Sequence, residues 1–264
     1  MADASVLGRP LWYELLTTDM KAAEKFYSTV VGWTTAPFDG SPQPYSMFSR
    51  EGGTPVAGVM TIPEGMNYPP YWIMYVGVPK LEDAVSKVEH QGGSALSPVI
   101  EVPSIGRMRV LKDPQGATFS VYEPASAPLP ERPPDLGEAS WHELNTTDAE
   151  ESLRFYAELF GWRESMAMDM GPMGKYHMFG RTADPADMMG GMMNKPPEMA
   201  QVPPHWAVYF RVPDINAAAE RITANGGQVL NGPMEVPGED WIVNAIDPQG
   251  AGFALHQRKA KSPA

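Results

Sequence analysis

Glu14 and Glu143 hold the same place in two copies of one pattern, WYELLTTDMKAAEKFYSTVVGW over 12–33 and WHELNTTDAEESLRFYAELFGW over 141–162. Both lie where apolar and polar residues alternate, which is the signature of a strand. A carboxylate at such a place is costly to bury unless it is paired or hydrogen-bonded. Repeated at one position, it suits a general base or a hydrogen-bonding anchor for a ligand. The competing reading is a partly wet glutamate paired with Arg107, Arg109 or a backbone amide.

The other chemistry-bearing side chains are few. There are five histidines and no cysteine, so disulfides, thiolate metal sites and cysteine nucleophiles are all excluded. Aligning the copies sets His142 against Tyr13, His177 against Tyr45, His205 against Tyr71 and His256 against Tyr122. Tyrosine and histidine share a flat body and a polar tip, but tyrosine is the poorer metal ligand. Positions that take either therefore favour a hydrogen-bonding aromatic over a metal site. His90 reads as a solvated residue near a helix end. Ten methionines lie between Met166 and Met199, and Met166, Met168 and Met170 alternate as they would on one face of a strand. Methionine fills irregular gaps and suits adaptable, apolar binding surfaces. The sequence shows no P-loop, dinucleotide fingerprint or nucleophile triad of usable spacing.

Each copy opens as a strand, then offers Thr-Asp as a helix N-cap. The helix buries Ala23, Phe26, Tyr27 and Val30 in copy one and Leu153, Tyr156 and Phe160 in copy two. Gly32 and Gly161 stop it, because glycine tolerates positive φ just past a helix. Short strands follow at YSMFSR and VAGVMT in copy one, and at YHMF and MMGGMM in copy two. Then come the apolar strands YWIMYVGV and HWAVYFRV, a second helix ended by Gly-Gly, and a hairpin turned by DPQG in each copy. Leu81, Ala84, Val85 and Val88 face inward on one second helix, and Ile215, Ala218 and Ile222 on the other. The expected plan is α+β, with four βαβββ modules in two tandem domains, 1–124 and 140–258. A proline-rich linker spans 125–139, and a basic tail spans 259–264.

The net charge is −12 and the pI about 4.8. An acidic surface repels phosphate backbones, so nucleic acid is not an expected partner. No apolar run reaches the roughly 20 residues that span a bilayer, and the first ten residues carry no secretory pattern. The expectation is a cytoplasmic protein with no membrane partner.

The strand order, the helix-borne Phe-Tyr, the following Gly-Trp, the Gly-Gly and the DPQG hairpin together resemble the vicinal oxygen chelate superfamily. This is the group of glyoxalase I, bleomycin-resistance proteins and extradiol dioxygenases. The resemblance implies paired modules cupped around a cavity that takes a small organic ligand. It also implies a divalent metal held by His, Gln or Glu. The ligand positions, however, fall on Trp12 and Trp141, on Ile73 and Ala207, and on Ser120 and Ala254; the fourth falls within VAGVM or MMGGM. None of these ligates such metals well, so no cofactor is expected. Counting in twos from those positions makes Glu14, Glu143, Tyr71, Tyr75, His205, Tyr209, Tyr122 and His256 cavity-lining. Trp12, Trp141, Tyr71, Tyr122, His205, Tyr209 and His256 become candidate ligand contacts, and Glu143 and Glu14 candidate catalytic residues. If the strands bearing His205 and His256 are antiparallel neighbours, Glu143, His205 and His256 form an alternative, displaced metal site. Copy two alone carries groups that titrate near neutrality, so its cavity is the expected main site. The two domains are expected to pack on each other within a monomer.

Overall fold

A computed structural model describes residues 6–41 and 43–259. The tail beyond Lys259 lies outside the described residues. The chain is α+β, and the module order reads as the sequence predicts. The first module is β1 (Pro10–Thr17), α1 (Met20–Val30), β2 (Thr34–Pro37), β3 (Tyr45–Ser49) and β4 (Pro55–Thr61). The second is β5 (Tyr71–Gly77), α2 (Leu81–His90), β6 (Ser94–Ala95), β7 (Ile100–Val102), β8 (Gly106–Lys112) and β9 (Thr118–Pro124). The third is β10 (Ala139–Thr146), α3 (Ala149–Phe160), β11 (Arg163–Asp169), β12 (Lys175–Gly180) and β13 (Met188–Asn194). The fourth is β14 (His205–Arg211), α4 (Ile215–Ala224), β15 (Gln228–Val236), β16 (Asp240–Ile246) and β17 (Gly252–Gln257). Copy one forms a nine-stranded sheet in the order β2-β3-β4-β1-β5-β9-β8-β6, with β7 on β8; copy two forms an eight-stranded sheet, β11-β12-β13-β10-β14-β17-β16-β15.

Local chemistry sets the helix ends. The Asp19 and Asp148 carboxylates accept from the backbone N–H of Ala22 and Glu151, and Gly161 closes α3 at φ 73°. Phe155 and Leu159 are buried on α3 with Tyr156 and Phe160, whereas Leu153 is only half-buried.

The compact units cut across the two copies. Among the described residues, one unit holds 6–12 with Ile73–Glu131 and Trp141–Trp206; the other holds Tyr13–Trp72, Arg132–Ser140 and 207–259. Each unit thus joins the second half of one copy to the first half of the other, or the reverse. In the first unit Trp206 donates to the Tyr156 hydroxyl at 3.0 Å, and that hydroxyl donates to Asp113 Oδ2 at 3.0 Å. Asp113 Oδ1 meanwhile accepts the N–H groups of Gln115, Gly116 and Ala117. In the second unit Trp72 donates to Tyr27 at 2.9 Å and Tyr27 to Asp247 at 3.1 Å. The Phe-Tyr helices and the DPQG turns are therefore one device, with each tyrosine reaching the aspartate of the other copy. Trp162, Phe160 and Phe119 close around Tyr156, with Phe179 stacked on Trp162, and Trp33, Phe48 and Phe253 close around Tyr27. Burial pushes both aspartates above the usual carboxylate range, opposed by their turn amides and the tyrosine. Tyr156→Phe should cost about 1–3 kcal/mol, because it leaves a buried acceptor and the Trp206 N–H without a partner. Urea midpoints compared at equal slope measure this; an unchanged midpoint would show that the relay contributes nothing.

The proline-rich segment is pinned rather than loose. Arg9 donates to Leu129 O and pairs with Glu131, as does Arg181. Further on, Trp33 donates to Gly137 O at 2.9 Å, and Glu138 accepts from Arg50 and Arg132.

Candidate functional site

In the first unit α3 packs on one face of β12 and β13. The other face carries Glu143. β10 runs parallel to β13 with Glu143 opposite Gly191, and Met178 of β12 faces the same glycine. The Tyr176 ring lies over Gly191: a Cβ added there would meet Tyr176 Cζ at 2.2 Å. Only a glycine leaves that space. Tyr176 Oη accepts from Trp141 Nε1 at 2.8 Å and donates to Glu143 Oε2 at 3.0 Å. Asn145 Nδ2 donates to Glu143 Oε1 at 3.3 Å. Cα partners in a sheet share a face, and Met166 stands opposite Met178, Met168 opposite Tyr176, and Met193 opposite Asn145. Glu143 is therefore a half-buried carboxylate held by neutral donors, on a sheet face that also carries Met166, Met168, Met178 and Met193.

The second unit repeats the arrangement. Glu14 stands opposite Gly58 on the parallel pair β1–β4, and a Cβ at Gly58 would meet Tyr45 Oη at 1.7 Å. Glu14 is 9 % exposed. Tyr68 and Tyr71 meet edge to face at 5.6 Å. Burial raises the pKa of both phenols, and the Glu14 charge raises it further. The Glu14 charge thus reaches Tyr71, a residue named from strand alternation, and Tyr68, which sits in a loop without periodicity. The signal for the tyrosine-over-glycine pair was present in the sequence, as the first residue of YSMF and YHMF and the shared glycine of VAGVM and MMGGM. It is Tyr176, not His177, that takes the place of Tyr45. His177 points to Glu164 instead, at 2.8 Å.

The displaced metal set does not assemble. β14 and β17 are parallel, not antiparallel, with Arg211 opposite His256. His205 lies six residues back along β14, about 20 Å at roughly 3.3 Å per residue. His205 Nδ1 bonds to Pro203 O at 2.9 Å, and His256 lies between Ser140 and Asp240. The expected arginine partners of the glutamates are engaged elsewhere, Arg107 with Glu82 and Glu123, Arg109 with Ser97 O. Of the other predicted contacts, Trp12 is half-buried on β1, Tyr122 donates to Ile105 O at 2.8 Å, and Tyr209 accepts from Asn244 at 3.0 Å.

A family model described as the glyoxalase/bleomycin resistance protein/dioxygenase superfamily matches residues 139–255, and a glyoxalase-like domain model matches 13–122. The protein named as glyoxylase CFP32 of Mycobacterium tuberculosis is 34 % identical over 255 residues, covering 94 % of each chain. The chain belongs to the glyoxalase/bleomycin resistance protein/dioxygenase superfamily. Within this superfamily it is also 28 % identical to the anthracycline biosynthesis protein DnrV of Streptomyces peucetius, over 97 % of this chain and 96 % of that one. Among solved structures, a 2,2′,3-trihydroxybiphenyl 1,2-dioxygenase from Sphingomonas wittichii matches with a TM-score of 0.66 at 11 % identity, over 95 % of this chain and 90 % of that one. The Mn(II)-bound glyoxalase of Novosphingobium aromaticivorans matches with a TM-score of 0.61 at 15 % identity, over 96 % of this chain and 82 % of that one. At such identities the likeness is one of fold.

The superfamily's metal does not fit the side chains present at its expected positions. Indoles stand at 12 and 141, aliphatic groups at 73, 207 and 254, and a serine at 120. That serine is buried and donates to Arg109 O. Among the described residues no three His, Asp or Glu side chains converge as a ligand set. No helix among them is long and apolar enough to cross a membrane.

Proposed function

We propose that this superfamily member binds a small, ring-bearing organic molecule on the helix-free face around Glu143, without the metal site used by its relatives. The observation that carries the reading is the state of Glu143. Its carboxylate is held by Tyr176 and Asn145 and by no cation among the described residues, and methionines of β11, β12 and β13 share its sheet face. Such a group accepts a hydrogen bond, or a proton, from a ligand O–H or N–H while the thioethers cover the apolar part. The name of a full-length relative, an anthracycline biosynthesis protein, supports a hydroxylated ring system as the ligand class.

A thermal-shift screen of hydroxylated aromatic compounds supplies the probe, since binding to the folded state raises its melting point. Glu143→Gln keeps the shape and removes the charge. It should weaken the best hit about 10- to 100-fold, the worth of a charged hydrogen bond. Glu14→Gln should leave affinity within about twofold, since it lies on the other unit's face. A larger effect at Glu14, or none at either position, removes the assignment to Glu143. Stoichiometric Zn, Ni, Fe or Mn in protein purified without chelators would overturn the metal-free part.

A further inference from the structure

No serine, histidine and aspartate stand at a recognisable sequence spacing, yet the second unit brings three of them into line. Ser140 Oγ lies 2.7 Å from His256 Nδ1, and His256 Nε2 lies 2.9 Å from Asp240 Oδ2. Asp240 Oδ1 is fixed by the backbone N–H of Lys259 at 2.8 Å. Acceptance by the aspartate places the imidazole proton on Nε2 and leaves Nδ1 free to take the Ser140 proton, which is the tautomer a nucleophile relay requires. Ser140 Oγ also reaches Tyr209 O at 3.3 Å. Arg211 stands opposite His256 across the parallel pair, and its Nε has no acceptor among the described residues. Burial holds His256 below the ordinary histidine range, with Arg211 and Arg258 acting in the same direction and Asp240 opposing. Copy one has Tyr122 in place of His256 and so has no counterpart.

We propose that Ser140, His256 and Asp240 form an acyl-transfer site for small carboxylic esters, separate from the face around Glu143. Ser140 Oγ bonds to the ester carbonyl carbon as its proton passes to His256 Nδ1. The carbon–oxygen bond to the alcohol breaks, and the alcohol leaves with that proton. Water then attacks the acyl-serine, giving up a proton to His256, and the carboxylic acid departs as Ser140 regains its own. The Arg211 guanidinium supplies positive charge beside the developing oxyanion. Ser140 and His256 act on the ester itself, while Asp240 is a positioning residue.

The test uses the full-length protein with a fluorophosphonate and with p-nitrophenyl acetate. Wild type should gain a single phosphonyl adduct, mapped to Ser140 by peptide mass analysis. His256→Gln should slow labelling at least about a hundredfold, the usual worth of a general base. Asp240→Asn should lower kcat on p-nitrophenyl acetate with little change in KM. Absence of an adduct on wild-type Ser140 overturns the site without reference to any variant. Labelling at an unchanged rate in His256→Gln overturns it as well. Binding at Glu143 is measured independently, so either proposal can fail alone.

Discussion

The chain cut between Glu131 and Arg132 should yield two fragments, neither of which folds as a monomer. Fragment 1–131 keeps Phe26 and Tyr27 but loses Phe253 and Asp247, and keeps Phe119 and Asp113 but loses Phe155 and Tyr156. Fragment 132–264 suffers the complementary losses. Stripping the contacts of one buried aromatic costs about 3–5 kcal/mol, and each fragment loses several. A domain's whole stability is about 5–15 kcal/mol, so the losses exceed it. Circular dichroism and size exclusion on each fragment, then on the mixture, measure this. The mixture should recover cooperative unfolding; a fragment alone could be rescued only by pairing with its own copy. Cooperative melting of monomeric 1–131 would show that each copy is self-sufficient, contrary to the division of the compact units.

The second large effect is acid destabilisation through His142. This side chain is 5 % exposed, with Nδ1 donating to Met189 O at 2.7 Å. Burial pushes its pKa down to about 4 from the ordinary 6.5, with the Met189 carbonyl opposing. Above pH 6.5 both folded and unfolded states carry a neutral ring. As pH falls below 6.5 the unfolded state takes up a proton that the folded state refuses until about pH 4. The loss over that window is on the order of 3 kcal/mol at about 1.4 kcal/mol per unit. Asp113 and Asp247 act in the opposite sense. Their pKa values are raised, so their contribution is present in acid and is lost as pH rises through the folded values. The His142 part is isolated by subtracting the pH–stability curve of His142→Gln, which can still donate to Met189 O. The variant curve should be flatter between pH 6.5 and 4. Curves of equal steepness would mean that His142 is not the group responsible. Copy one offers a built-in comparison: Tyr13, at the matching position, is pushed up by burial and by the Glu138 charge, and stays neutral throughout this range.

Local features were legible because they are encoded locally. The Asp19 and Asp148 caps, the glycine stops and the buried faces of α1, α2 and α4 all follow from spacing within about a dozen residues. The place of Glu14 and Glu143 was legible for the same reason, since a repeat marks it twice. Partners across hundreds of residues were not. Nothing in FY or DPQG says that Tyr27 bonds to Asp247 rather than to Asp113. The direction of β17 against β14 is likewise a pairing choice that alternation cannot express, and it decided the fate of the His205–His256 pair. Proline content spoke against regular structure in 125–139, but could not tell that Arg9, Trp33 and Arg50 would hold the segment down. His177 was misplaced by one residue because aromatic character was matched in preference to strand parity, and Tyr176 satisfies both.

The reciprocal bonds between the Phe-Tyr helices and the DPQG turns also govern how assembly depends on concentration. If the complementary halves were separate molecules, dilution would pull them apart. Here the linker keeps them on one chain, at an effective concentration in the millimolar range typical of short tethers. If the chain is monomeric, formation of each unit is expected to be first order in protein, with a melting temperature independent of dilution. A change at Tyr27 can be answered only at Asp247, in the other copy, so the duplicated sequences are not free to drift independently.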